Sequence, residues 1–244
     1  MLAVCRNILS FDDLSWKTWL KKLLLLGLIW FCVWHLWVVL RIVSYTWYNP
    51  SSTSFMEEQL AMLQLENSNV KKRHTWVPYT SISKPLKRAL IAAEDAKFLD
   101  HDGFDWDGIE TAWEKNLKKG KIVAGGSTIS QQLAKNLFLS SDKTPWRKLD
   151  EALITVMLET ILDKQRIYEI YLNVIEWGEG IYGAEAAAKY YFGVSAKRLS
   201  AYQSAYLAAM VTNPRYYQAH RRSAHLSHKA GVILRRMRQS DIPD

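Results

Sequence analysis

Glu94 and Asp95 stand side by side, with Phe98, His101, Asp102, Gly103, Phe104 and Asp105 close behind them. Glu94 lies four residues beyond Leu90, which puts its carboxylate at the edge of an apolar helix face rather than opposite it. Partial desolvation there raises a carboxyl pKa toward the range of a general base, although a solvated acidic helix end is the plainer reading of the same pattern. A second cluster fills residues 125–139, where two glycines precede Ser127, Thr128, Gln131, Gln132, Lys135 and Asn136. Ser127 or Thr128 can cap a helix, and Thr128 with Gln131 matches a capping box. Free backbone N–H groups at such a start attract phosphate. Gln132, Lys135 and Asn136 then share one helix face, the lysine offering charge and the amides offering donors to sugar or phosphate oxygens. An ordinary capped surface helix is the competing reading. Arg147 and Glu151 are spaced as i,i+4 partners, either a plain ion pair or a phosphate clamp beside a second acidic group. Glu159 can share the face of Glu151, Lys164 is less distinctive, and His101 beside one aspartate does not make a metal site.

These residues need helices to hold them. Ser83 can cap a helix with Pro85 in its first turn and Leu86, Leu90 and Ala93 on one face. Further helices are expected over 56–66, 106–117, 184–191 and 200–210, with a basic, turn-rich connection at 67–78 and a lysine-rich loop at 118–121. A long pattern over 146–173 places Leu149, Leu153, Met157 and Ile161 on one stripe and should break near Asp163. Few segments alternate with period two, so the fold is mainly α.

Residues 23–40 contain no Lys, Arg, Asp or Glu, and extension through Arg41 to Trp47 gives a length that spans hydrocarbon. The absence of a small-x-small cleavage site after this run argues against a signal peptide. Arg6, Lys17, Lys21 and Lys22 precede the span, partly offset by Asp12 and Asp13, which keeps the N-terminus in the cytoplasm by the positive-inside rule. Trp37, Tyr45, Trp47 and Tyr48 suit an interfacial belt. The formal net charge of +8 favours anionic partners; the span puts lipid headgroups or a lipid-linked phosphate ahead of nucleic acid. Residues 214–240 hold seven Arg or Lys and no Asp or Glu, as a surface helix or an anionic contact. Cys5 and Cys32 fall before and inside the span, leaving no disulfide or thiolate site beyond it.

Taken in order, the segments resemble family 51 glycosyltransferases, the peptidoglycan glycosyltransferases, and within them the monofunctional members. Five motifs carry the resemblance over roughly residues 76–217. The first runs from Glu94 and Asp95 to Asp105, and the second covers 126–139. The third runs from Arg147 through Glu151 to Lys164 and Asn173, the fourth from Gly178 to Gly183 with Tyr191 to Gly193, and the fifth from Leu199 to Pro214. Asp163 stands where a serine often precedes the third-motif lysine, and Gln203 replaces a frequent glutamate; both departures bear on local helix packing. The chain ends soon after the fifth motif, which fits the absence of a transpeptidase domain.

The resemblance implies a lysozyme-like helical head lobe beside a smaller, membrane-proximal jaw lobe. The organisation it suggests is a cytoplasmic tail at 1–22, a transmembrane helix at 23–47, a linker and helix at 48–75, and a glycosyltransferase domain at 76–244. The implied location is the bacterial inner membrane, crossed once, with the catalytic domain in the periplasm. The implied substrate is lipid II together with the growing glycan strand. Glu94 is then the general base, and Lys135 and Arg147 hold the leaving pyrophosphate with help from Ser127, Gln132 and Asn136. Glu151 orients Arg147, assists departure, or acts through a pyrophosphate-bound divalent cation such as Mg or Mn. No cofactor is required by the motifs. Cell-wall synthesis or division proteins are conceivable partners, and nucleic acid is not. A lysozyme-like hydrolase and a non-catalytic membrane scaffold are the alternatives.

Overall fold

The computed structural model describes residues 16–121, 125–142 and 144–244 of the chain. Cys5, Arg6, Asp12 and Asp13, and with them part of the charge pattern that sets orientation, lie outside the described residues. The chain divides into two units, Met1–Ser44 and Tyr45–Asp244.

In the first unit the expected apolar helix is present as α1 (Trp16–Ser44). It begins before the uncharged run and stops short of Trp47, leaving residues 45–47 as a turn. At about 1.5 Å per residue, its 29 residues exceed the thickness of a bilayer's hydrocarbon core. This helix is consistent with a single membrane span. Arg41 lies in its last turn with its guanidinium 5.9 Å from the Trp37 ring centre.

The second unit is mainly helical. In chain order it contains α2 (Ser54–Glu66), α3 (Lys84–Glu94), α4 (Trp106–Lys119), α5 (Ile129–Phe138), α6 (Pro145–Ile161), α7 (Lys164–Val174), α8 (Ala184–Phe192), α9 (Ala201–Met210), α10 (Pro214–Ala219) and α11 (Ala224–Arg236). Three short strands, β1 (Arg73–His74), β2 (Glu176–Gly178) and β3 (Ile181–Tyr182), form a sheet in the order β1-β3-β2. β3 runs parallel to β1, pairing Arg73 with Ile181, and antiparallel to β2. The sheet is absent from the sequence expectations because strands of two or three residues show no periodicity.

Local chemistry sets most boundaries. Ser83 caps α3 by accepting from the Leu86 N–H, and α4 ends on Gly120 in the left-handed region at φ 62°. The long helical pattern does break at Asp163, whose Oδ1 accepts from the Arg166 N–H at 2.6 Å and starts α7. Gln203 forms a capping box with Ser200 at the start of α9. The two departures from the family pattern thus both act at helix starts. Pro214 opens α10 rather than merely ending α9.

Two expectations are corrected. The stripe of Leu149, Leu153, Met157 and Ile161 is not the buried face of α6: Leu149 is 51% exposed, whereas Glu151, Ile154, Thr155 and Leu158 point inward. The helix turns a partly polar face to the site, so hydrophobicity alone picks the wrong side. Tyr45 is not in an exposed belt, because it is buried with its ring 6.3 Å from that of Phe138, while Trp47 and Tyr48 are exposed. Arg166 fixes this stretch by donating to the Tyr45 carbonyl (2.7 Å), the Tyr48 carbonyl (2.9 Å) and Asn49 Oδ1 (2.7 Å).

Candidate active site

Glu94 is the last residue of α3, and the chain leaves the helix at Asp95, φ −161°. Asp95 is buried and engaged elsewhere. Its Oδ2 accepts from the backbone N–H of Ile129, the first residue of α5, at 3.0 Å. Its Oδ1 accepts from His101 Nε2 at 3.0 Å, while His101 Nδ1 accepts from the Gly103 N–H at 3.1 Å, which places the ring proton on Nε2. The negative side chain sits on the free N–H groups that every helix start presents. Asp95 therefore ties the end of α3 to the start of α5, and Glu94 is carried to the same place.

Around that clamp lies a layer of further bonds. Thr128 caps α5 and completes the capping box with Gln131; its hydroxyl also donates to the Gly103 carbonyl at 2.7 Å. Lys164 donates to the His101 carbonyl (2.5 Å) and to Glu159 (2.8 Å), and Ser130 donates to Glu159 at 2.5 Å. Glu159, Lys164 and His101 thus support the frame. Gly126 lets this segment lie against α4, since a Cβ there would meet Ile109 Cα at 3.1 Å.

Two groups of the sequence-derived candidates emerge. In the first, Gln132 Nε2 donates to Glu94 Oε2 at 3.1 Å, and Gln132 Oε1 accepts from the hydroxyl of fully buried Tyr171 at 3.1 Å. Tyr171 fixes which way the amide points. Glu94 Oε1 is buried without a hydrogen-bond partner. Burial pushes the Glu94 pKa up, opposed by the Gln132 bond and the charge of Lys229, and reinforced by Asp95.

In the second group, Glu151 is 3% exposed and receives Arg147 Nη1 on Oε2 at 2.8 Å and Lys148 Nζ on Oε1. Arg147 Nε is buried and unpartnered. Half-buried Lys135 has its pKa pushed down by burial; the charge of Glu151 opposes this, and Arg147 and Lys148 add to it. The four charged groups of α5 and α6 therefore act on one another, with more positive than negative charge. Asn136, on the same helix, is 7% exposed.

Ser127 joins the two groups. It lines a hollow of about 180 Å³ with Glu94, Asp95, Gly125, Gly126 and Thr128, and another of about 260 Å³ with Trp113, Gln131 and Lys148. A larger cavity of about 620 Å³ lies elsewhere, at Tyr79, Lys87 and Asp241, and none of the candidate residues lines it. Each oxygen of Glu151 faces one cation, Arg147 or Lys148. Among the described residues no group of three His, Cys, Asp or Glu side chains is placed to hold a metal.

Residues 58–238 match the family model described as Transglycosylase. The chain belongs to the transglycosylase family. This transglycosylase is 66% identical over 213 residues to the biosynthetic peptidoglycan transglycosylase of Chromobacterium violaceum, covering 87% of this chain and 93% of that one. The protein of the same name from Laribacter hongkongensis is 62% identical with the same coverage. That of Methylobacillus flagellatus is 57% identical over 220 residues, 90% of this chain and 96% of its own. Family membership makes this transglycosylase a glycosyltransferase enzyme. Residues bonded to the candidate groups that sequence reasoning left without a role are Asp95, Lys148 and Tyr171, all of which stood in quoted motifs.

Proposed function

We propose that this transglycosylase polymerises lipid II, a disaccharide-peptide carried on undecaprenyl pyrophosphate, into β-1,4 glycan strands. The observation that carries the reading is Glu94: one carboxylate oxygen is held by Gln132 and the other is buried and unpartnered, in a side chain that lines a hollow with Gly125, Gly126, Ser127 and Thr128. The relatives named for peptidoglycan biosynthesis support the substrate class.

In this mechanism Glu94 Oε1 takes the proton from the 4-hydroxyl of the acceptor's N-acetylglucosamine. That oxygen bonds to C1 of the donor's N-acetylmuramic acid as the C1–O bond to pyrophosphate breaks. The bonding pair leaves with undecaprenyl pyrophosphate, and the configuration at C1 inverts. Lys135 and Arg147 neutralise the departing pyrophosphate, the lysine as a movable point charge and the arginine as a planar fork. Ser127, Gln132 and Asn136 donate to sugar or phosphate oxygens. Glu151 acts by holding Arg147, since both of its oxygens already face cations.

The proposed organisation is a cytoplasmic tail, one membrane span within α1, a connecting segment, and a periplasmic catalytic domain with a lysozyme-like head and a membrane-proximal jaw. A substrate with a polyprenyl tail stays in the bilayer, so an anchored enzyme searches two dimensions. The test is to incubate the full chain with lipid II and measure glycan length, undecaprenyl pyrophosphate and reducing ends. The expected result is release of the lipid pyrophosphate in step with glycan growth, without matching new reducing ends. A reducing end at every turnover would make the enzyme a hydrolase, and unconsumed lipid II would contradict both.

A further inference from the structure

Phe55 stands in the segment that the sequence reads as a linker and helix, ahead of residue 58, where the family match begins. Its helix, α2, is fixed at that end. Thr53 caps it by accepting from the Met56 N–H at 3.2 Å, Ser54 Oγ donates to the Leu137 carbonyl of α5 at 3.0 Å, and Met56 is fully buried. One turn on, buried Gln59 accepts from Arg215. The N–H and hydroxyl of Ser141, just past α5, both donate to Glu58 at 2.8 Å. Half-buried Phe55 lies among these contacts and turns its ring to Lys135 of α5, whose Nζ sits over that ring at 5.5 Å from its centre.

Among the described residues Lys135 Nζ has no hydrogen bond and no ion pair. The carboxylates whose charge acts on it face other cations: Glu151 receives Arg147 and Lys148, and Glu176 accepts from Arg215 at 2.9 Å. A lysine that is to meet a pyrophosphate has conflicting needs. Its long stem must be held in one place and its charge kept in a half-buried setting, yet a carboxylate in direct contact would cancel that charge and occupy its donors. An aromatic face meets both needs. Its quadrupole attracts the ammonium within about 6 Å, while the ring is neutral and leaves the net positive charge for an anion.

We infer that Phe55 is a positioning residue for the transfer reaction, holding the Lys135 ammonium over its ring face so that the N–H donors stay open to the leaving pyrophosphate. This inference rests on the reading of Lys135 as a leaving-group cation. It gives α2 a part in the chemistry beyond that of a connection, since the bonds from Ser54 to α5 and from Arg215 to Gln59 set where the ring lies.

The experiment is steady-state polymerisation of lipid II by the full chain and its Phe55→Leu and Phe55→Tyr variants, with thermal midpoints as the folding check. Beside them stands a series of chains carrying progressively fluorinated phenylalanines at position 55, which weaken the ring's attraction for a cation while barely changing its size. Phe55→Leu should lower kcat/KM roughly tenfold, and Phe55→Tyr should stay near wild type. The fluorinated chains should lose rate step by step at an unchanged midpoint, and they serve in place of Phe55→Leu if that variant does not fold. In a Lys135→Ala chain, adding Phe55→Leu should cost nothing further. Rates that ignore fluorination, or an equal loss from Phe55→Leu with and without Lys135, would overturn the inference while leaving Lys135 on the pyrophosphate. If Lys135→Ala itself keeps wild-type turnover and affinity, the leaving-group reading fails first, and the inference with it.

Discussion

The two oxygens of the Glu94 carboxylate have different surroundings, and that difference has consequences for stability as well as for chemistry. Burial raises the folded-state pKa above the ordinary carboxylate value, so the folded chain holds this proton better than the unfolded chain does. The stabilisation linked to that proton is fully present below the unfolded value and is lost as pH rises through the folded one. Above that folded value an ionised Glu94 is a burden on the fold. Glu94→Gln should melt at a higher temperature than wild type at neutral pH, and the gap should close as the solution is acidified. Calorimetry across pH checks this; an equal or lower midpoint at neutral pH would show that the carboxylate is not strained by burial. On the opposite side of the site, Lys135→Ala should lower turnover by ~10² or more through loss of leaving-group stabilisation. Steady-state lipid II kinetics check it, and unchanged turnover and affinity would remove Lys135 from that role.

Helix starts were legible in the sequence and helix faces less so. Ser83, Thr128 with Gln131, and Ser200 with Gln203 act over three residues, so the pattern that encodes them is local. The inward face of α6 was not legible, because Glu151 and Thr155 are buried by the site they help to build while Leu149 faces out. Asp95 bonding α5, Tyr171 orienting Gln132 and Arg166 holding the Tyr45 carbonyl join residues far apart in the chain, and no spacing rule reports them. The family resemblance named Glu94, Lys135, Arg147 and Glu151; the structure bonds Glu94 to Gln132 and places Arg147 and Lys148 on Glu151. The sheet offers a test at this scale. Gly183 has φ +82°, and a Cβ there would come within 2.5 Å of the Asn173 carbonyl oxygen. Gly183→Ala should therefore destabilise the fold by about 2 kcal/mol, read by chemical denaturation; an unchanged midpoint would mean that β3 and α8 can shift freely.

Across the whole molecule, the candidate residues all lie in the unit Tyr45–Asp244, and the apolar helix lies in the other. The second unit has its own buried core, including Phe98, Leu133, Tyr168 and Trp177. A chain lacking residues 1–44 should therefore keep its fold. It should also lose a larger share of its lipid II turnover on vesicles than in detergent micelles, where substrate no longer has to be found within a bilayer. Equal losses in the two media would remove the anchoring role assigned to α1. The central claim is that Glu94 starts glycan transfer, and the most direct measurement is polymerisation of lipid II by folded wild-type and Glu94→Gln chains compared side by side. The account expects the variant to bind lipid II and to polymerise it at least ~10²-fold more slowly. Polymerisation by Glu94→Gln at the wild-type rate would contradict it.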